Sequence, residues 1–140
     1  MNQTQALRAI PFFSGLKAQD LSAIVRVGKR VEFEPGAAMV EAGDRGDAMF
    51  VILSGSAEVD VGGRYHVLKP GDFFGEMALI SSKKRTATVK AVEPVDALRV
   101  PAEDFRNFLL EHPSVSLAML EAMVERLREV QNRIDAWIGS

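Results

Sequence analysis

Cysteine is absent from this chain, and that absence removes disulfides, cysteine nucleophiles, iron–sulfur clusters and thiolate zinc sites. Histidine is nearly as scarce. His66 and His112 are the 2 present, and they fall in different stretches, so the clustered imidazoles and carboxylate of a metal-dependent enzyme are lacking. No serine, histidine and aspartate arrangement stands out either, and the chain reads as non-enzymatic, with no metal and no cofactor. No apolar run reaches the roughly 20 residues that a membrane span needs, and Met1-Asn2-Gln3-Thr4 does not open a signal peptide. Excess charge is missing too: 17 basic residues stand against 19 acidic ones, for a net −2. A general nucleic-acid or membrane-surface binder would be more lopsided. The compartment that these absences suit is the cytoplasm.

What is present suffices for one domain with a sizeable core: 140 residues, 47% of them hydrophobic. Residues 1–28 read as helical. Leu7, Ile10, Phe13 and Leu16 mark one apolar face interrupted at Pro11, and Leu21, Ile24 and Val25 continue at helical spacing. Gly15 is expected to break the two pieces and Gly28 to stop the second. Over 29–101 the pattern changes to short strands between turn signals. Val31 and Phe33 alternate with glutamates before Pro35-Gly36. Met39-Val40-Glu41 precedes Gly43-Asp44, and Met49 to Leu53 is apolar enough for a strand buried on both faces. Ala57, Val59 and Val61 alternate with Glu58 and Asp60 up to Gly62-Gly63, a hairpin signal, and Tyr65 to Leu68 returns to Pro70-Gly71. Thr86 to Val92 and Val95 to Val100 supply two closing strands. Strands this short, punctuated this often, indicate a mainly β fold of the jelly-roll kind with flanking helices.

Residues 102–138 are helical again, as a short helix ended near His112-Pro113 and a longer one opened by Pro113. Along the second, Leu120, Met123, Leu127, Val130, Ile134 and Trp137 are spaced alternately by three and four, a seam of nearly three heptads. Glu121, Glu125, Arg126, Glu129 and Arg133 lie opposite. The seam either packs on its own β-roll or pairs with a second copy of the chain.

The stretch that carries chemistry is 71–89. Gly71 and Gly75 let the backbone approach a ligand, and the unbonded amides at the start of a short helix favour an anion. Arg85 follows Glu76 by nine positions and offers a planar fork suited to phosphate. An ionised Glu76 only accepts hydrogen bonds and would repel a phosphate unless it met hydroxyls. A sugar with a free hydroxyl beside a phosphate satisfies both residues.

Phe74-Gly75-Glu76-Met77-Ala78-Leu79, with Arg85-Thr86-Ala87-Thr88-Val89 at this spacing, resembles the phosphate-binding cassette of cyclic-nucleotide-binding domains. These occur in kinase regulatory subunits, gated cation channels and the catabolite activator family. The glycines at 36, 43, 55, 71 and 75 match the family's pattern, and the resemblance covers most of the chain. It implies a single regulatory domain, 1–140, that binds cAMP or cGMP and couples binding to movement of its C-terminal helix. Arg85, Thr86, Gly75, Met77 and Ala78 would hold the phosphate and Glu76 the ribose 2′-hydroxyl. Val59, His66, Leu68 and Phe74 would wall the base, with Leu127, Arg128, Ile134 and Trp137 as lid candidates. Thr86 leaves the base open: the family associates threonine here with cGMP, yet channels that carry it respond to cAMP, the preferred reading. Lys83-Lys84 departs from the glycine or proline of many relatives and reads as a solvated loop tip. Expected partners are the cyclic nucleotide, a second copy through the last helix, and an unidentified effector protein or domain. A DNA-reading relative would carry a helix-turn-helix after the long helix, so no direct DNA binding is expected of these residues. The alternative is a dimerisation domain of the same fold that has lost its ligand.

Overall fold

The computed structural model describes residues 3–8, 13–61, 64–75, 85 and 87–139, at Gln3, Ala6, Val61, Arg64, Tyr65 and 133–139 in the backbone alone. Two helices lead, α1 (Gln3–Arg8) and α2 (Ala18–Val27). Among the described residues eight strands follow: β1 (Lys29–Phe33), β2 (Ala38–Val40), β3 (Ala48–Ser54), β4 (Ala57–Val61), β5 (Arg64–Leu68), β6 (Phe73–Phe74), β7 (Thr88–Ala91) and β8 (Val95–Pro101). Helices α3 (Ala102–Glu111) and α4 (Pro113–Gly139) close the chain. The strands form two antiparallel four-stranded sheets, ordered β1-β8-β3-β6 and β2-β7-β4-β5. This is the expected β-roll with flanking helices.

Strand β3 is central to both layers of the core. Its period-two alternation sends Met49 and Val51 to one side and Ala48, Phe50 and Ile52 to the other, all buried. The first side meets the helices, in a cluster with Leu7, Phe13, Leu21, Ile24, Phe105, Phe108, Val115 and Met119. The second lies between the sheets with Met39, Ala57, Leu68, Val89, Ala91 and Ala97. Each phenylalanine or leucine fully withdrawn from water contributes about 1.5–3 kcal/mol, so a strand buried on both faces anchors both layers at once.

Three features depart from the sequence-based expectation. Phe73–Phe74 is a strand of its own, paired with the middle of β3 through Phe50↔Phe74 and Val51↔Phe73; two residues are too few to show a period. Gly28 does end α2, its amide donating to the Ile24 carbonyl at 2.9 Å, but at φ −88° and not in the left-handed conformation. Its small size matters instead, since a Cβ there would lie 2.8 Å from Leu98 Cδ1. The third concerns α4. The seam residues Leu120, Met123, Leu127 and Val130 are exposed, with Leu117 and Val124 beside them. The side that packs carries Val115, Met119 and Ala122, so packing of the seam on its own roll is ruled out for these residues. Ile10, Pro11, the Gly62-Gly63 turn and the Lys83-Lys84 tip lie outside the described residues.

Candidate phosphate-binding site

Arg85 is held at one end of the roll by its backbone before its side chain comes into play. Its amide donates to the Asp44 carbonyl at 2.6 Å, and its carbonyl accepts from the Gly43 amide at 2.9 Å. The Gly43-Asp44 turn is itself set by a positive φ of 91° at Gly43, which glycine adopts without steric cost. From there the half-buried guanidinium reaches the start of β3, where Nη2 donates to the Ala48 carbonyl at 2.9 Å. A bond to a carbonyl fixed in a central strand orients the planar fork.

Gly75 arrives at the same point from the other direction. It follows β6 directly, and its φ is +85°, a region costly to other residues. A Cβ on Gly75 would stand 2.7 Å from the Ala48 oxygen and 2.9 Å from Arg85 Nη1. The glycine that opens the motif and the arginine that closes it are thus packed against each other, although ten positions separate them in sequence. Glu76 is the next residue in the chain. Glu76, Met77, Ala78 and Thr86 lie outside the described residues.

The candidates for the base wall occupy the inward face of β4 and β5 and the end of β6. Val59 stands directly opposite His66, and Ala57 opposite Leu68; period two then puts all four on one face. Leu68 is buried, Val59 half-buried and His66 exposed. Phe74 is buried and stacked on Phe50, with ring centroids 5.0 Å apart and planes at 6°. Leu68 and Phe74 belong to the core between the sheets.

Among the lid candidates, Leu127 is 66% exposed, and Arg128 is exposed and pairs with Glu125 at 3.5 Å. Neither packs in the core. The side chains of Ile134 and Trp137 lie outside the described residues. Sequence reasoning missed Arg126 of α4, which lies 4.1 Å over the Phe73 ring and donates to the Phe73 carbonyl at 2.9 Å. A charged residue on the side opposite an apolar seam gives no sign of this. The Ala48 carbonyl was missed too, since a backbone acceptor has no signature in side-chain identity.

A cleft of about 610 Å³ separates α4 from β5 and β6, lined among others by His66, Lys69, Asp72, Phe73, Glu121 and Arg126. Glu125 and Glu129 add two more carboxylates, so acidic groups outnumber basic ones and the cleft is a poor seat for a phosphate. Arg85 and Gly75 are not among its described lining. Arg85 and Gly75 meet instead at the start of β3, beside the Ala48 carbonyl.

Among the described residues no group of side chains could hold a metal ion, and no helix is long and apolar enough to cross a membrane. The family model of the cyclic nucleotide-binding domain matches residues 30–112. A cyclic nucleotide-gated potassium channel of Mesorhizobium japonicum is 35% identical over 87% of this chain and 34% of its own length. A cGMP-dependent protein kinase of Toxoplasma gondii is 34% identical over 85% of this chain and 12% of its own. The chain thus spans about a third of the channel and about an eighth of the kinase. Among solved structures, the catabolite activator protein of Thermus thermophilus superimposes with a TM-score of 0.76 at 28% identity, covering 89% of this chain and 62% of that one. The motif, the fold and the family match agree, and the chain belongs to the cyclic nucleotide-binding domain family.

Proposed function

We propose that this chain is a regulatory sensor module that binds a cyclic nucleotide at the end of its β-roll and passes the event to α4 without doing chemistry. The observation that carries the reading is the approach of the Arg85 guanidinium to Gly75, close enough to leave no room for a Cβ there, with the fork held by the Ala48 carbonyl. Arg85 pairs with the exocyclic oxygens of the cyclic phosphate. Backbone amides of Gly75, Met77, Ala78 and Thr86 complete the cradle, and Glu76 accepts from the ribose 2′-hydroxyl. The base extends along the inward face of β4 and β5 toward Val59 and His66, with Leu68 and Phe74 behind it. α4 is the moving part, and Leu127, Arg128, Ile134 and Trp137 are candidates to close over the base. Ligand that binds the closed arrangement better shifts an existing equilibrium toward it.

We favour cAMP over cGMP. The reading treats 1–140 as one domain of 1–28, 29–101 with the cassette at 71–89, and 102–138. It places the module in the cytoplasm and couples it to an effector protein or domain. Competitive titration of a fluorescent cyclic nucleotide with cAMP, cGMP and non-cyclic AMP tests binding and base preference together. Equal indifference to all three would end the proposal.

A second copy of the chain is the partner we assign to the seam. Leu120, Met123, Leu127 and Val130 are spaced for knobs-into-holes packing and stand exposed. An apolar stripe of this kind on a helix anchored to a domain favours association. The rival reading, a dimerisation domain that has lost its ligand, would keep the seam and fail the titration.

A further inference from the structure

We propose that the cleft between α4 and the strands β5 and β6 is a docking groove for an extended basic segment of a partner protein. The groove exists because of what α4 turns toward the roll. Its bulky apolar residues Leu120, Leu127 and Val130 face solvent. The residues that line the cleft from α4 are Ala118, Glu121, Ala122, Glu125, Arg126 and Glu129. The two alanines are too short to close the space, and about 610 Å³ lies open beside β5.

Two independent features of the walls select the same occupant. The first is charge. Glu121, Glu125 and Glu129 recur at every fourth position, so the helical rise sets them about 6 Å apart along the groove. Alternate side chains of an extended chain lie about 6.6–6.8 Å apart. A segment with a basic residue at every second position therefore runs nearly in step with the three carboxylates, and long flexible side chains absorb the difference. The cations already present do not fill this role. Arg126 is engaged with the Phe73 ring and carbonyl. Lys69 stands on the opposite wall beside Asp72, whose carboxylate accepts from the Lys69 amide at 2.8 Å. Arg128 meets Glu125 at 3.5 Å on the exposed rim, a pair worth little. Among the described residues Glu121 and Glu129 pair with no cation.

The second feature is the backbone. β5 is the last strand of its sheet, in the order β2-β7-β4-β5. Among the described residues no strand or side chain hydrogen-bonds to its outer edge. At β6, the last strand of the other sheet, Arg126 occupies the Phe73 carbonyl. β5 has no such cover, and Val67, which lines the cleft, is 45% exposed. An open edge offers alternating donors and acceptors to an extended chain. A basic helix could match the spacing of the carboxylates, but only an extended segment also meets the edge. The groove stands whether or not a nucleotide binds; that the segment belongs to the effector rests on the function proposed above.

The test uses the full chain and, as probe, a fluorescein-labelled peptide of about eight residues that alternates lysine with valine. Anisotropy titration should show saturable binding that weakens several-fold between about 50 and about 200 mM salt. Glu121→Gln with Glu129→Gln, both at exposed positions, should weaken it about tenfold. Glu103→Gln with Asp104→Gln, exposed carboxylates of α3, should leave it unchanged. A peptide with proline in place of every valine keeps the charge but cannot complete a strand, and it should bind about tenfold more weakly or worse. Amide exchange in β5 should slow in the complex. Equal binding of the proline peptide, unchanged exchange in β5, unchanged affinity in the Glu121 and Glu129 variant, or no binding at all would overturn the groove. Titration of the same proteins with cAMP separates the two readings: if the peptide binds and no cyclic nucleotide does, the groove stands and the sensor function falls.

Discussion

At the scale of single residues, the candidate site is made by what glycine permits and arginine reaches. Arg85→Ala removes a charge-assisted donor fork from the proposed phosphate seat and should weaken nucleotide binding by about 2–5 kcal/mol. Arg85→Lys keeps the charge but not the planar fork, so it should recover only part of that loss. Calorimetric titration of the three proteins checks the order. The glycines give a second, structural ranking. Gly36 and Gly55 both sit at positive φ, 84° and 85°, so alanine costs each about 1–2 kcal/mol in backbone strain. At Gly36 an added Cβ meets nothing within 4 Å, whereas at Gly55 it would lie 2.1 Å from the Pro94 carbonyl oxygen. Gly55→Ala should therefore be far the more destabilising in urea unfolding, by several kcal/mol against about 1–2. Gly75→Ala belongs between them in stability, but it alone pushes on Arg85 and should also impair binding.

At the scale of elements, most of the fold could be read from the chain because short β elements announce themselves through alternation and glycine turns. Val31 and Phe33, then Ala57 and Val59, alternate with charged residues. Met49 to Leu53 does not alternate, and β3 is indeed buried on both faces. β6 could not be read this way. Its two phenylalanines diverge, Phe73 to the helix layer and Phe74 to the layer between the sheets, a division that only pairing with β3 makes. The orientation of α4 was equally hidden. Helical spacing says which residues share a face but not which face the domain covers. Here small or slender Ala122, Val115 and Met119 pack inward, with Arg126 laid over Phe73, while the bulkier seam is left to solvent. Gly75 and Arg85, which the fold brings to the same end of β3, were legible as candidates through residue type and spacing, while the Ala48 carbonyl that Arg85 reaches was not. The exposed seam yields the test proper to this scale. Leu120→Glu together with Leu127→Glu places like charges in the proposed interface without touching the core, since both residues are more than half exposed. Sedimentation should show the wild type as a dimer and the double variant as a monomer. Leu127 is also a lid candidate, so the single Leu120→Glu variant reads the interface alone: its nucleotide affinity should stay within about twofold, less than 0.5 kcal/mol.

At the scale of the whole molecule, the two core layers and the site form one mechanical unit. Arg85 hangs on the beginning of β3, Gly75 leaves the end of β6, and β3 pairs with β6 and β8. On the other face of the same strands lie Phe73 and Val51, packed with the helices. A ligand that draws Gly75 and Arg85 together acts on the strand pair on which the helix layer rests, and Arg126 ties α4 to β6. Binding should therefore stabilise the entire domain. A ligand taken up only by the native state adds about 2.7 kcal/mol at a hundredfold excess over its dissociation constant. For a chain of this length that is a rise of about 8–10 °C in Tm. cAMP should produce it, and non-cyclic AMP, whose phosphate carries more charge and lacks the ring closure, should not. In Arg85→Ala the rise should shrink to about 3 °C or less at the same nucleotide concentration, while loss of the bond to the Ala48 carbonyl lowers the unliganded Tm by a few degrees. A ligand-induced rise that survived this substitution undiminished would move the binding site away from the end of the roll and toward the acidic cleft under α4.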